Sequence, residues 1–264
     1  MARALCNGYL NLQNVTLRSK GGDVFVVPHL RESVGFELLI NGEYECDTRQ
    51  FLLQSLSLGG TFVDVGANIG ALTIPAARRV GSSGRVVVIE ASPYVFGYLE
   101  ENVRMNGISN VVSIGCAVHD HDEAEVSFWD APTDHFGMGS LAPQFHPDAT
   151  KIVARTLDGL LAKEAVDHVD VLKVDVEGFE SSVFRGARRL LTGPRPPVVL
   201  FEFCDWAEAR GVEAVGDAQE FLRDLGYQIL RLSRQGSSGT PLENTLTEGF
   251  AMLIASRSER PLLC

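Results

Sequence analysis

The sequence predicts an α/β fold, a doubly wound and mostly parallel sheet with helices on both faces. Three observations lead there. From about residue 60, short β-branched apolar runs alternate with stretches of helical length. The runs are apolar at nearly every position, the pattern of strands buried on both faces. The alternation then ends in two strands with only a Gly/Ser-rich loop between them, which implies an antiparallel hairpin at one edge.

The elements follow in order. Thr61–Val65 (TFVDV), Arg85–Ile89 (RVVVI), Asn110–Val118 (NVVSIGCAV), Val169–Val174 (VDVLKV) and Pro197–Phe203 (PVVLFEF) are expected strands. The helix after the first carries Pro75, so it should kink or start late. The helix after the second is well marked: Ser92 suits the N-cap, Pro93 the first helical position, and Asn106-Gly107 the end. Tyr227–Ser233 and Phe250–Ser256, separated by Arg234–Thr240, form the expected hairpin. Residues 1–58 read as a small N-terminal extension. It holds strand-like pieces at Val24–Val27 and Phe36–Ile40 and a helix-like stretch at Thr48–Leu56. Residues 59–264 form the main domain, and 130–149, with three Pro and two Gly, is an inserted loop on the substrate side. No internal repeat is present.

Composition excludes several classes. The chain has 264 residues, 45% of them apolar, and a formal charge of −11. Such an acidic surface repels a phosphate backbone, so no nucleic-acid partner is expected. The short basic run Arg185–Arg189 reads as a solvated helix face. No apolar run approaches the roughly 18 residues of a membrane span. Met1–Leu10 is too short an apolar stretch for a secretory signal. Cys6, Cys46, Cys116, Cys204 and Cys264 are scattered and odd in number, without CxxC spacing. A reducing cytoplasm is therefore expected, with neither disulfides nor a zinc site.

The chemistry concentrates at strand ends. The first strand runs into Asp64-Val65-Gly66-Ala67-Asn68-Ile69-Gly70 and then a helix. Gly66 permits a sharp turn, Gly70 a close approach, and the helix N-terminus should offer N–H groups to a polar ligand. Glu90 ends the second strand, where a carboxylate can accept both hydroxyls of a ribose. Asp64 stands where a dinucleotide fingerprint would have glycine, and it would repel a pyrophosphate. A ligand with a sulfonium and no phosphate, S-adenosylmethionine, fits best. At the fourth strand's end, Asp175 and Glu177 point to one side if the strand continues, with Glu202 next door. The three carboxylates could bind an ammonium group, accept a hydroxyl proton or hold a divalent cation, although no resident metal is assigned. Glu177 and Glu180 also suit a helix N-terminus. His119-Asp120-His121-Asp122 reads as a solvated turn in preference to a metal site, and His135 and His146 are candidate substrate contacts. Cys116 and Cys204 belong to the core.

Phe62–Gly70 (FVDVGANIG), Gly84–Glu90 (GRVVVIE), Arg155–Leu160 (RTLDGL) and Val171–Glu180 (VLKVDVEGFE) together resemble the motifs of the FkbM family of S-adenosylmethionine-dependent methyltransferases, over roughly residues 36–230. The resemblance implies the Rossmann-like class I methyltransferase fold, a seven-stranded sheet ending in the antiparallel hairpin. By position it implies that Asp64, Gly66, Asn68 and Gly70 form the methionine-end loop and Glu90 holds the ribose. Ala117 and its neighbours would border the adenine, and Asp175 would sit beside the sulfonium and acceptor. Ala91, where the family often has Pro, belongs to the same cofactor-binding stretch. Asp175, Glu177 and Glu202 are the catalytic candidates. The implied reaction is O-methylation of a small-molecule hydroxyl on a sugar, glycoside or polyketide-type natural product, releasing S-adenosylhomocysteine. N-methylation of a small amine or amide, or an NAD-dependent oxidoreductase on a related sheet, are the alternatives. The acceptor is a small molecule, a homodimer is possible, and no membrane partner is expected.

Overall fold

A computed structural model describes residues 11–145, 147–211, 214–234, 236 and 239–257. The readings of Met1–Leu10, Cys6, His146 and Cys264 lie outside them. The chain opens with an antiparallel pair, β1 (Gln13–Arg18) and β2 (Val24–His29), followed by helices α1 (Ser33–Asn41) and α2 (Cys46–Ser55). The alternating core follows as β3 (Thr61–Val65), α3 (Thr73–Val80), β4 (Arg85–Glu90), α4 (Pro93–Met105) and β5 (Val111–Gly115). A side layer comes next, β6 (Ala117–Val118), β7 (Glu123–Phe128) and β8 (Thr150–Arg155). Then α5 (Leu157–Lys163), β9 (Val171–Val174), α6 (Glu180–Gly186), α7 (Arg188–Thr192) and β10 (Val198–Cys204) resume the alternation. The remaining elements are α8 (Asp205–Glu208), α9 (Asp217–Asp224), β11 (Gln228–Leu232), β12 (Gly239–Pro241) and β13 (Phe250–Ser256).

The main sheet has the order β12-β11-β13-β10-β9-β3-β4-β5. Strands β10, β9, β3, β4 and β5 run parallel, and β13 is inserted antiparallel between β11 and β10. This is the expected seven-stranded sheet with its terminal hairpin, plus a short eighth strand, β12, on the outer edge. Alternate residues of the parallel strands feed two cores. Val63, Val65, Leu172 and Phe201 pack against α5, α6, α7 and α9. Phe62, Val86, Val171 and Leu200 pack against α2, α3 and α4. Each fully buried Phe or Leu contributes on the order of 2 kcal/mol by leaving water. Among the described residues no helix is long and apolar enough to cross a membrane.

Helix α4 begins as the sequence predicts: the Ser92 hydroxyl accepts from the Val95 N–H at 3.3 Å, and Pro93 occupies the first turn. Its far end has a further task. Asn102 and Asn106, one turn apart, accept from the N–H groups of Val26 (2.7 Å) and Val24 (2.9 Å) and donate back to the same residues' carbonyls. Two side-chain amides thus pair the free edge of β2 and tie it to α4.

Three expectations need correction. Phe36–Ile40 is not a strand but the body of α1. Val34 and Leu38, one turn apart, face inward while Leu39 and Ile40 are exposed, so the apolar run mimics a strand although its buried positions follow a helical period. Asn110–Val118 is not one strand, because it breaks at Cys116, where the chain leaves the main sheet for the side layer. Strands β7 and β8 flank the 130–149 loop and were not expected. Their alternating pattern, with Phe128, Ile152 and Ala154 inward and Glu123 and Thr150 outward, belongs to a half-exposed sheet.

Candidate functional site

A cavity of about 900 Å³ opens at the carboxyl ends of β3, β4, β9 and β10. Its floor begins at the β3–α3 turn. Gly66 has φ +77°, and a Cβ there would lie 1.8 Å from the Asp175 carbonyl oxygen, so only glycine lets the two strand ends meet. Gly70, φ +84°, faces Leu99 of α4 and does not line the cavity; the close approach it permits is to a helix. The N–H groups of the turn itself are engaged within the protein. Those of Gly66 and Ala67 donate to the Ile89 carbonyl, that of Asn68 to Glu90 Oε2 at 2.9 Å, that of Ile69 to Asn68 Oδ1, and that of Gly70 to the Ala67 carbonyl. The turn therefore presents no ready cradle for a phosphate.

Glu90 closes β4 and lines the cavity. Its two oxygens accept from the N–H groups of Asn68 and Ser92, both at 2.9 Å, leaving each oxygen a second lone pair. Burial raises its pKa to about 7, against the opposing pull of those N–H groups. Ala91, Ser92, Val95, Cys116, Ala117 and Phe128 extend the wall beside it as an apolar slot with one hydroxyl. The Ser92 hydroxyl also donates to Asp130, and Ser140 donates at 3.1 Å to the Glu177 carbonyl. These two serines pin the start and the middle of the 130–149 loop over the cavity. Its stretch Thr133–Met138 is a 3₁₀ turn, with Phe136 and Gly137 facing in and His135 exposed outside the lining.

At the other end Asp175, Glu177 and Glu202 bring carboxylate oxygens within 4.8 Å of one another. Strand β9 stops at Val174, so continued strand geometry does not align them. Instead Glu177 (φ +54°) and Gly178 (φ +96°) turn left-handed, and buried Glu180 Oε1 accepts from the N–H of Val176 (2.9 Å) and Gly178 (3.4 Å) to hold that turn. Burial, with Asp175 and Glu180 beside it, pushes Glu177 up to about 8. Burial and the charges of Asp175, Glu177 and Glu180 push Glu202 well above the carboxylate range.

Asp64 is displaced from its expected position beside the ligand. It is 1% exposed and does not line the cavity. Its Oδ2 accepts from Thr73 at 2.7 Å, and Oδ1 faces the Lys173 ammonium at 3.8 Å, directly across the β3–β9 ladder. Burial raises Asp64, while Lys173 and Thr73 oppose that rise. Lys173 itself lies 3.0 Å from Asp175 Oδ2; burial works against its charge, but Asp175, Asp64 and Glu45 outweigh that and hold it above the lysine range. The sequence reading gave Lys173 no role. It also missed Tyr44 and Glu45, which enter the cavity from the α1–α2 connection. Glu45 sits at φ +42° in a loop with no strand-end signal to mark it.

His119, Asp120 and His121 form a second set of potential ligands. They sit outside the cavity, with His121 exposed and bonded to Asp120 and Glu123. Those acceptors raise the His121 pKa. Cys116 and Cys204 are buried free thiols and Cys46 an exposed one.

A tight turn after the first parallel strand, a carboxylate ending the second and an acidic cluster ending the fourth, on a sheet with its last strand inserted antiparallel, define a class I methyltransferase fold. The methyltransferase FkbM domain matches residues 64–229, so the chain belongs to the FkbM family of S-adenosylmethionine-dependent methyltransferases. "Methyltransferase 1" of Beauveria bassiana (strain ARSEF 2860) is 28% identical over 142 residues, 47% of this chain and 57% of that protein. Aklanonic acid methyltransferase DauC of Streptomyces sp. (strain C5) is 28% identical over 193 residues, 66% of this chain and 78% of that protein. The chain thus matches little more than half the length of the first relative. Solved structures with similarity include precorrin-6y C5,15-methyltransferase from Geobacter metallireducens GS-15, at 16% identity over 80% of this chain and 86% of that one, TM-score 0.46. The O-methyltransferase from Bacillus cereus in complex with SAH is 15% identical over 78% of each chain, TM-score 0.44.

Proposed function

We propose that this chain transfers a methyl group from S-adenosylmethionine to the hydroxyl of a small molecule of the sugar, glycoside or polyketide type. The supporting observation is the make-up of the cofactor end. Every turn N–H from Gly66 to Gly70 is engaged within the protein, while Glu90 still offers lone pairs. Such a surface suits a nucleoside's ribose and leaves the turn with no free N–H to cradle a pyrophosphate. One relative is named for the methylation of aklanonic acid, which agrees with a natural-product acceptor.

In this reading Glu90 accepts the ribose hydroxyls, Ala91 and Ala117 border the adenine, and Gly66 and Asn68 shape the methionine end. The bound cofactor supplies an activated methyl on a sulfonium. The protein must align an acceptor oxygen with it and remove a proton. Lys173 orients Asp175 and is itself anchored by Asp64, so Asp64 is a positioning residue. Asp175 takes the acceptor's proton, with Glu177 and Glu202 beside it.

The test is thermal protection by S-adenosylhomocysteine against NADH, followed by mass analysis of acceptors for a methyl gain. Protection by the nucleoside thioether alone is expected; protection by NADH alone would reverse the reading in favour of an oxidoreductase. Asp175→Asn is expected to lower kcat by roughly 100-fold or more. Unchanged turnover and unchanged S-adenosylhomocysteine affinity would remove Asp175 from the mechanism.

A further inference from the structure

We propose that Asp175, Glu177 and Glu202 form a divalent-cation site at the acceptor end of the cavity. The three residues project from separate places: the end of β9, a left-handed turn and the regular strand β10. Their oxygens converge within 4.8 Å, near enough that small side-chain rotations would bring all three onto one ion with oxygen ligands at roughly 2.1–2.5 Å. The turn that aims Glu177 is fixed by Glu180, whose carboxylate accepts from two N–H groups. The ligands are therefore arranged before any ion arrives.

A second observation, independent of that trio, points to a positive occupant. Glu45 approaches from the α1–α2 connection with the Tyr44 and Thr48 hydroxyls acting on its carboxyl, yet its Oε2 is sealed from solvent without a hydrogen-bond partner among the described residues. Its charge acts on Asp175 and Glu202. Lys173 is the one buried lysine or arginine among the described residues, and it is shared between Asp64 and Asp175. Asp175, Asp64 and Glu45 thus share one buried ammonium, and Glu177 and Glu202 add two carboxyl groups to a cavity also lined by Arg231 and Arg234. The Arg210 charge acts on Glu177 too, but Arg210 is stacked on Trp206. Clustered carboxylates in this ratio are met either by protons or by a further cation, and oxygens that converge on one point favour the cation. The donors are all carboxylate oxygen, without nitrogen or sulfur, which selects Mg²⁺, Mn²⁺ or Ca²⁺ over Zn²⁺ or Cu²⁺. A divalent ion offsets more of the excess than an organic ammonium would.

The catalytic consequence rests on the methyl-transfer reading, whereas the binding does not. An acceptor hydroxyl on the ion would lose its proton to a neighbouring carboxylate at neutral pH, forming the oxygen nucleophile that attacks the methyl.

The test is Mn²⁺ titration of metal-stripped protein, followed by electron paramagnetic resonance and calorimetry, with Mg²⁺ as competitor. One bound ion per chain is expected. Glu177→Gln and Glu202→Gln should each weaken it tenfold or more, with circular dichroism melts confirming that both fold. His121→Asn, in the exposed cluster, should leave it unchanged. Absence of bound Mn²⁺ at millimolar concentration, or loss in His121→Asn alone, would overturn the site. So would Glu202-dependent stabilisation by a simple amine with none by Mn²⁺. Mn²⁺ bound by a protein that ignores S-adenosylhomocysteine would uphold the site and reject methyl transfer; the reverse result would reject the site alone.

Discussion

Gly66 is the residue on which the site's geometry turns. A methyl group there would lie 1.8 Å from the Asp175 carbonyl, and its φ of +77° is costly for any other residue. Gly66→Ala should therefore destabilise the fold by about 3 kcal/mol or more and abolish S-adenosylhomocysteine binding. Urea melts and calorimetry would check this, and a variant that melts like the parent would mean the two strand ends can part freely. Glu90 carries a pH signature. Its folded pKa of about 7 lies above its ordinary value of 4.5, because burial disfavours the charged form. The folded state then holds the proton more tightly than the unfolded chain. This contribution to stability is complete below about pH 4.5 and fades as pH rises to about 7, by at most roughly 3 kcal/mol. Glu90→Gln should flatten that share of the decline in denaturant melts between pH 5 and 7.5; parallel curves would contradict the assignment. Ribose hydroxyls stabilise the ionised carboxylate, so cofactor affinity should rise as pH passes through about 7.

Among the elements, α4 joins three parts of the molecule. Its N-cap Ser92 reaches Asp130 in the inserted loop, and Asn102 and Asn106 hold the edge of β2. Ser92→Ala should cost about 1 kcal/mol through the lost cap and release the loop's near end. Hydrogen exchange would show this as faster exchange across residues 129–141 while β2 stays protected. Equal protection of the loop in both proteins would mean that its other contacts, Ser140 with Glu177 and Arg31 with Asp134 among them, suffice to secure it. The same helix shows what sequence can reveal of a fold. Its start was legible because Ser-Pro at an N-terminus is a local signal, and the parallel strands because their burial on both faces makes them continuously apolar. The Asn102–Asn106 ladder was not legible, since an asparagine pairing a distant strand looks like one facing water. The Phe36–Ile40 run misled for a related reason: at that length, apolar content outweighs period, and only burial distinguishes Leu38 from Leu39.

At the scale of the whole molecule, the chain's net charge of −11 is echoed inside the cavity, where Glu32, Glu45, Glu90, Asp175, Glu177 and Glu202 all contribute to the lining. The strand-end acids among them could be read from sequence, because parallel topology alone brings strand ends together. Glu45 and Lys173 could not. One comes from a loop outside the alternating pattern, and the other is a lysine within an apolar strand whose meaning depends on Asp64 being its neighbour across the ladder. The summed field has a consequence that separates two nearly identical ligands. S-adenosylmethionine carries a net positive charge through its sulfonium, and S-adenosylhomocysteine carries none. Added salt screens attraction to a charged ligand and leaves a neutral one largely unaffected. Raising the ionic strength from about 20 to 500 mM should therefore weaken S-adenosylmethionine by roughly threefold while S-adenosylhomocysteine changes little. Dissociation constants for both ligands at the two salt concentrations would measure it. Equal salt dependence would mean that the acids are already neutralised, either by protons or by a bound cation. Repeating the pair of titrations after treatment with a divalent-metal chelator would then separate those two causes, because stripping a bound cation restores the salt dependence whereas bound protons do not respond to the chelator.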